Sequence, residues 1–207
     1  MYGEIYLKES YKFRAERRDP LIVDAGANIG LATTYFKKLY PASRVYSYEP
    51  DPAAYNALQR NVAGLPDVNP VNCALSLASG NVDFYTGGRT HMSLLPDRKT
   101  NHKKITVQSK RLSEELKRIC TGERLDLLKL DVEGGEHEIL RDLRDTEMID
   151  MVDQMIIEYH HHLGGRDNLA GFLGTLENNG FGYSVSGNRK DDPRSFSDIF
   201  IRAYRTQ

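Results

Sequence analysis

Short apolar segments alternate with amphipathic helical segments along most of this chain, and this alternation limits the possible fold more than any other feature. The apolar runs predict buried strands at residues 20–25, 44–49, 68–75, 125–132 and 153–160. The segments between them, such as 136–145, have the three-to-four-residue spacing of apolar side chains that is typical of helices. A strand–helix–strand order requires right-handed crossovers and a mainly parallel sheet covered on both faces. We therefore predict an α/β fold.

The end of the chain departs from this alternation. Residues 181–187 and 196–204 both have strand character, and a turn between them predicts an antiparallel hairpin. Rossmann-like methyltransferases usually have such a terminal hairpin, whereas nucleotide-dependent dehydrogenases usually lack it. Residues 80–112 are predicted to form a strand-rich insertion and residues 1–19 an N-terminal arm. The length of 207 residues is that of one domain, which would span the whole chain, 1–207.

A glycine turn follows the first predicted strand and has the sequence DAGANIG, from Asp24 to Gly30. Gly26 permits a tight turn and a close approach to a ligand, and Gly30 allows the next helix to begin close to the strand. The turn lacks the second glycine of the G-x-G-x-x-G pattern, which makes room for a pyrophosphate, and it is not a P-loop. We therefore expect a nucleoside-like ligand without a diphosphate.

An acidic residue at the end of the second strand supports this interpretation. Glu49 lies 19 residues after Gly30, where a carboxylate can accept hydrogen bonds from ribose hydroxyls. Together these features favour S-adenosylmethionine (SAM), with its amino-acid end over the turn that includes Ala27, and with Asp24 near its ammonium group. The adenine would lie between Cys73 and Ala74. The alternative is a purely architectural turn beside a solvated Glu49.

Four segments, VDAGANIGLATTYF, YSYEPDP, LLKLDVEGGEHEIL and IIEYH, resemble the FkbM family of SAM-dependent methyltransferases over about residues 21 to 160. LKLDVEGGEHEIL is the specific segment, because the glycine turn occurs in many methyltransferases. The resemblance implies a class I methyltransferase fold with a seven-stranded sheet, and methylation of a hydroxyl group on a sugar, glycan or polyketide-like natural product. It assigns SAM binding to Asp24, Gly26, Asn28, Gly30 and Glu49, and a signature acidic pair to Asp131 and Glu133.

Methyl transfer from a sulfonium requires mainly that the acceptor oxygen is held in line, with a base near its proton. Ligands bind such sheets at the carboxyl ends of the strands, where Asp131 ends the strongest predicted strand. Glu158 and His160 would share one face of the next strand. We predict that Asp131, Glu158 and His160 are catalytic, with His160 as the favoured base. Asp131 and Glu133 are alternatively residues that stabilise the start of a helix.

The histidines at positions 160, 161 and 162 also raise the question of a metal site. Successive side chains diverge on a strand, so a site would require Asp131 or Glu133 to complete it. We predict no bound metal from the sequence, with SAM as the cofactor.

Composition and charge limit the partners and the compartment. The 28 Lys and Arg residues nearly balance 29 Asp and Glu, which disfavours nucleic acid as the main partner. Basic residues concentrate in the insertion, at Arg98, Lys99 and Lys103 among others, where they bind a phosphate or form a solvated hairpin. No apolar run reaches the roughly 20 residues of a membrane span, and the start has no secretory signal. Two unpaired cysteines agree with a cytoplasmic protein.

The leading hypothesis is a SAM-dependent O-methyltransferase for a small-molecule or glycan acceptor. One alternative is a nucleic-acid methyltransferase on the same fold, which would bind through the basic insertion in a salt-dependent manner. A second is a non-catalytic module that binds SAM, and a nicotinamide-dependent dehydrogenase is disfavoured by the glycine spacing. The sequence leaves the identity of the acceptor and the oligomeric state open.

Overall fold

The computed structural model describes residues 2–86, 92–93, 103–161, 168–187 and 197–206. The strands are β1 (Leu21–Ala25), β2 (Arg44–Tyr48), β3 (Val68–Val71), β4 (Ala74–Leu75), β5 (Gly80–Thr86), β6 (Met92–Ser93), β7 (Lys103–Lys110), β8 (Leu127–Leu130), β9 (Gln154–His161), β10 (Phe181–Gly187) and β11 (Ser197–Arg205). The helices are α1 (Leu31–Leu39), α2 (Pro52–Val62), α3 (Leu112–Ile119), α4 (Glu136–Asp145) and α5 (Leu169–Asn178), with a π-helical segment at Gly3–Leu7 and a 3₁₀ segment at Met148–Met151.

Seven strands form the main sheet, in the order β10–β11–β9–β8–β1–β2–β3. The neighbouring pairs from β9 to β3 are parallel, whereas β11 runs antiparallel to both β9 and β10. This is the predicted Rossmann-like arrangement, a mainly parallel sheet that ends in an antiparallel hairpin. Its strand order reverses beside β1, and the carboxyl ends of β1 and β8 therefore border the crevice in which such folds bind ligands.

A second, smaller sheet contains β4, β7, β5 and β6 and forms the predicted β insertion. The single strand predicted for 68–75 is wrong, because this segment divides between the two sheets. The Asn72 side-chain amide donates hydrogen bonds to the carbonyl groups of Glu49 and Pro50, which bends the chain after β3. Only β3 then pairs with β2, while β4 pairs with β7.

Every residue of β1 is buried, as expected for a central parallel strand with helices on both faces. Leu21, Val23 and Ala25 belong to the core cluster that includes residues of α3 and α4. Ile22 lies on the other face, in a cluster with Phe36 of α1. Asp24 follows the same alternation, so its carboxylate is directed into the interior next to α1.

Asp51 caps the start of α2. The Asp51 carboxylate accepts hydrogen bonds from the backbone N–H groups of Ala53 and Ala54, and Pro52 occupies the first turn. This cap fixes the chain directly after Glu49. In the described part of the chain, no helix is long and apolar enough to cross a membrane.

Candidate active site

The glycine turn after β1 depends on backbone conformations that favour glycine. Gly26 has a φ of 78°, and a Cβ atom there would lie 1.7 Å from the carbonyl oxygen of Asp131. Gly30 has a φ of 87°, and its Cβ would lie 2.7 Å from Leu58 of α2. Asn28 also adopts a left-handed conformation, with a φ of 50°. The turn therefore packs directly against the end of β8 and against α2, with no room for side chains at either glycine.

Glu49 is buried behind this turn and is not the solvated charge of the alternative interpretation. It is 3% exposed, and its carboxylate accepts hydrogen bonds from the backbone N–H of Asn28 at 2.7 Å and of Asp51 at 2.8 Å. Burial raises the pKa of Glu49 to about 7, although these two hydrogen bonds act to lower it. The carboxylate thus links the glycine turn to the end of β2.

Lys129 on β8 is a buried cation that the sequence analysis missed. Its Nζ lies 3.3 Å from Asp24 Oδ1 and 3.2 Å from Asp131 Oδ2, and it donates a hydrogen bond to the Gly26 carbonyl at 2.6 Å. Burial acts to lower the pKa of Lys129, but the carboxylates of Asp131 and Asp24 outweigh it and raise that pKa above its usual value. The sequence feature that could have identified Lys129 is a single lysine within an otherwise apolar strand.

Asp24 is completely buried beside this lysine. Its Oδ2 accepts a hydrogen bond from the Thr33 hydroxyl at 2.7 Å, whereas Oδ1 makes no hydrogen bond to any described residue. The contact of Oδ1 with Lys129 is therefore an ion pair alone. The acidic group thus lies directly under the turn, within the interior.

His160 on β9 is held between carboxylates. Its Nδ1 lies 2.7 Å from Glu136 Oε1, and its Nε2 lies 3.0 Å from Glu133 Oε2 and 3.9 Å from Asp131 Oδ1. Burial acts to lower the pKa of His160, but the hydrogen bonds to Glu133 and Glu136 raise it to about 12. Both ring nitrogens of His160 therefore face carboxylates, and its role as the base stays a prediction.

Glu158 of β9 and Tyr11 of the N-terminal arm meet at the same site. The buried Tyr11 hydroxyl donates a hydrogen bond to Glu158 Oε2 at 3.3 Å. The Tyr11 ring stacks on Phe200 of β11 and lies 5.8 Å from Lys129 Nζ. The sequence analysis did not single out Tyr11, because the arm has no clear periodicity.

A cavity of about 670 Å³ connects these groups. Of the predicted site residues it is lined by Gly26, Ala27, Asn28, Asp131, Glu158 and His160, and in addition by residues of the arm and of β10 and β11. Asp24, Gly30 and Glu49 support the turn from behind. Cys73 and Ala74 are buried and do not line this cavity, and Cys73 belongs to the main core cluster. The structure thus does not bring these two residues to the cavity, and their contact with an adenine stays a prediction.

Several predicted features fall outside the described residues. They include His162, Arg98 and Lys99, while His161 is described by its backbone alone. Lys103 and Lys104 of the basic insertion are exposed, and Lys104 forms an ion pair with Asp83 at 2.7 Å.

Comparisons with known proteins identify the family of this chain. The family model described as Methyltransferase FkbM domain matches residues 24–183. Methyltransferase sdnD of Sordaria araneosa is 31% identical over 98% of this chain and 88% of its own length. The 31-O-demethyl-FK506 methyltransferase FkbM of Streptomyces tacrolimicus is 24% identical, over 89% of this chain and 81% of its own. The 2-O-methyltransferase NoeI of Sinorhizobium fredii is 26% identical, over 63% of this chain and 60% of its own.

Solved structures share the fold. Methyltransferase FkbM from Methylobacillus flagellatus KT superimposes with a TM-score of 0.61 at 16% identity, over 98% of this chain and 48% of that chain. Aeropyrum pernix fibrillarin, solved with natively bound S-adenosyl-L-methionine, superimposes with a TM-score of 0.57 at 15% identity, over 97% of this chain and 73% of that chain. Because the family model spans most of the sequence, from the glycine turn to β10, the chain belongs to the FkbM family of SAM-dependent methyltransferases.

Proposed function

We propose that this protein transfers the methyl group of SAM to a hydroxyl oxygen of a small-molecule acceptor, such as a sugar, a glycan or a natural product. The observation that carries the proposal is one cavity bounded by the glycine turn on one side and by carboxylates on the other. Its volume of about 670 Å³ lies within the range of about 300–1,000 Å³ that is usual for small-molecule sites.

The glycine turn has the features that SAM requires. Gly26 lines the cavity without a side chain and packs its backbone against the Asp131 carbonyl. Glu49 offers a carboxylate for ribose hydroxyls at the end of β2, and Asp24 lies under the turn, where its Oδ1 pairs with Lys129 and makes no hydrogen bond to a described residue. We therefore assign cofactor binding to Asp24, Gly26, Ala27, Asn28, Gly30 and Glu49. When bound, SAM supplies an electrophilic methyl group on a sulfonium that leaves as a neutral thioether.

Asp131 is the residue best suited to direct the acceptor. Lys129 holds its Oδ2 at 3.2 Å, which fixes the carboxylate at the end of β8 while its side chain remains 21% exposed to the cavity. A hydroxyl that donates its hydrogen bond to Asp131 would present a lone pair in line for transfer, and the carboxylate would accept the proton as the new bond forms. Glu158, oriented by Tyr11, would hold a second hydroxyl or polar group of the acceptor.

His160 then has a positioning role. As an imidazolium it compensates the charges of Glu133 and Glu136 and keeps Glu133 next to Asp131. Two features support oxygen as the methyl acceptor: the carboxylates of the cavity and the printed names of two relatives, a 2-O-methyltransferase and a 31-O-demethyl-FK506 methyltransferase. The carboxylates of the cavity lie beside the cations of Lys8, Lys129 and Arg202, so its lining has both signs of charge.

The first test is a calorimetric titration of the full chain with S-adenosylhomocysteine, with NADH as a control. We expect binding of the first and none of the second. Transfer of a labelled methyl group is then measured over a panel of hydroxylated acceptors, each beside its deoxy analogue. Label that appears on the hydroxylated compounds alone supports the proposal, whereas transfer to nucleic acid, or binding without transfer to any acceptor, overturns it.

The role of Asp131 is tested in the same assay. Asp131→Asn should lower kcat by about 10²–10⁴-fold, since it removes the proton acceptor, with S-adenosylhomocysteine affinity nearly unchanged. Asp83→Asn is the matched control, because Asp83 lies on the exposed insertion and pairs only with Lys104 among the described residues. An equal loss in both variants would contradict the assignment.

A further inference from the structure

Three potential metal ligands meet on the cavity wall where β8 and β9 end. They come from Asp131, Glu133 and His160, and one ligand atom of each lies within 4.8 Å of the others. Asp131 and Glu133 side chains are 21% and 26% exposed, whereas the His160 side chain is only 3% exposed. The cluster therefore has one face buried in protein and one face toward the cavity.

The distances agree with a coordination shell. Two ligand atoms about 2.1 Å from one ion lie about 3.0 Å apart in cis octahedral positions and about 3.4 Å apart in a tetrahedron. His160 Nε2 is 3.0 Å from Glu133 Oε2 and 3.9 Å from Asp131 Oδ1. The first pair already has a coordination spacing, and the second needs only a small movement of the Asp131 carboxylate.

A fourth residue orients the histidine from outside this cluster. Glu136, which is 2% exposed, lies 2.7 Å from His160 Nδ1 and also accepts a hydrogen bond from the Gly134 N–H at 3.0 Å. Metal-bound histidines in proteins almost always donate their second nitrogen to such a carboxylate, carbonyl or water, which fixes the tautomer and the ring plane. Here that arrangement directs Nε2 toward the cavity and toward the two carboxylates.

We propose that Asp131, Glu133 and His160 bind a divalent first-row transition metal ion of the Mn²⁺ type, with its open positions toward the acceptor hydroxyl. The donor set carries this choice. An imidazole nitrogen disfavours Mg²⁺ and Ca²⁺, and the two carboxylates without a thiolate disfavour Cu⁺. The sequence alone argued against a metal, because it offered neighbouring histidines on one strand rather than one histidine and two carboxylates from the end of another.

The ion would act on the acceptor as a Lewis acid. A hydroxyl bound to the ion would lose its proton more readily, to solvent or to a carboxylate of the cavity, and its oxygen would bond to the methyl carbon as the S–CH3 bond of SAM breaks and the neutral thioether leaves. This catalytic consequence rests on the proposed function, but the binding of the metal does not. The competing state is a protonated His160 that bridges Glu133 and Glu136, and a metal ion must displace the Nε2 proton.

The test uses the full chain after treatment with a chelator, titrated with Mn²⁺ alone and followed by electron paramagnetic resonance. We expect one ion per chain and nitrogen hyperfine coupling from one histidine. Asp131→Asn and Glu133→Gln should each weaken Mn²⁺ binding at least about 10-fold, and Glu136→Gln about 10–100-fold. Mg²⁺ should compete poorly. Glu4→Gln, which changes another carboxylate of the same cavity, should leave Mn²⁺ affinity unchanged.

Far-UV circular dichroism and urea unfolding establish that each variant is folded. Absence of stoichiometric Mn²⁺ binding to the folded chain, absence of nitrogen coupling, or equal affinity in Glu133→Gln and Glu4→Gln would overturn the proposed site. Methyl transfer is measured separately with chelator and with Mn²⁺ restored. Metal binding without any effect on transfer would overturn the catalytic role alone, and failure of S-adenosylhomocysteine to bind would count against the proposed function and not against the metal site.

Discussion

The two walls of the cavity are built by different means. The wall at the glycine turn is made of consecutive residues, Gly26 to Asn28, in a turn that has no room for side chains at Gly26 or Gly30. The opposite wall is made of residues from the arm, β8, β9, the turn before α4, β10 and β11, brought together from positions 4 to 202. The first wall therefore depends on shape, and the second depends on a balance of charges among distant residues.

The negative charges of the second wall are compensated by cations within the same wall. Lys129 lies between Asp24 and Asp131, and His160 lies between Glu133 and Glu136. Removing one partner of a buried ion pair is costly, because the remaining charge has neither water nor a counter-ion. Lys129 also donates to the Gly26 carbonyl, so this cation belongs to both walls. Substitutions of Lys129 and of residues in each wall test whether the two walls are energetically independent.

The largest effect is expected at the backbone wall. Gly26→Ala would place a Cβ atom 1.7 Å from the Asp131 carbonyl oxygen, at a φ of 78° that disfavours alanine. We expect complete loss of S-adenosylhomocysteine binding and a fall in the free energy of unfolding of several kcal/mol, of order 3 or more. Calorimetry and urea unfolding measure the two quantities.

Gly174→Ala is the matched control for that change. Gly174 lies inside α5, and a Cβ atom there would meet nothing within 4 Å. Because alanine favours a helix, this variant should gain roughly 0.5–1 kcal/mol and bind the ligand normally. If Gly26→Ala behaved like Gly174→Ala, the view of the turn as a wall defined by shape would be wrong.

The same contrast explains what the sequence could predict. The turn, the helix at 136–145 and the terminal hairpin were found because each depends on neighbouring residues and on local periodicity. The division of the strand at 68–75 was missed, since it results from Asn72 binding the end of β2. Lys129, Tyr11 and the partners of His160 were also missed. Their roles depend on contacts across more than a hundred residues or between separate strands, which no local pattern encodes.

The second effect tests the cation shared by the two walls. Lys129→Met keeps the length of the side chain but leaves the buried Asp24 carboxylate and the partly exposed Asp131 carboxylate without their ion pair. We expect a loss of about 3–5 kcal/mol in the free energy of unfolding, measured with urea, and weaker S-adenosylhomocysteine binding. Adding Asp24→Asn to this variant should recover part of the stability, since one uncompensated charge is then removed.

Lys110→Met is the control for this variant. Lys110 has a 43% exposed side chain and pairs with Glu115 at 3.0 Å, so its loss should cost at most about 1 kcal/mol. Equal losses in the two lysine variants would mean that the buried cation contributes no more than a surface charge. Loss of stability with unchanged ligand affinity would instead show that the two walls are energetically separate.

The third effect depends on pH and comes from Glu49, an acidic side chain that supports the backbone wall at the end of β2. Its pKa of about 7 in the folded protein lies above the ordinary value of 4.5, so between these pH values the folded chain holds a proton that the unfolded chain has lost. The stabilisation by this proton is complete below about pH 4.5 and is lost as the pH rises through 7. The shift corresponds to on the order of 3 kcal/mol.

Glu49→Gln isolates this contribution, because glutamine does not titrate. The free energy of unfolding of the ligand-free protein, measured from pH 5 to 8, should fall with pH more steeply in the wild type than in Glu49→Gln. Glu123→Gln is the opposite control: the side-chain hydrogen bonds from Arg44 and Arg17 lower the pKa of Glu123 to about 2, so this variant loses stability evenly across the same range.

S-adenosylhomocysteine affinity should have the reverse pH dependence in the wild type and rise through pH 7, since only the ionised Glu49 accepts hydrogen bonds from both ribose hydroxyls. Parallel stability curves for the wild type and Glu49→Gln would show that the Glu49 carboxylate is ionised from pH 5 to 8. Protonation of Glu49 would then contribute nothing to the stability of the backbone wall.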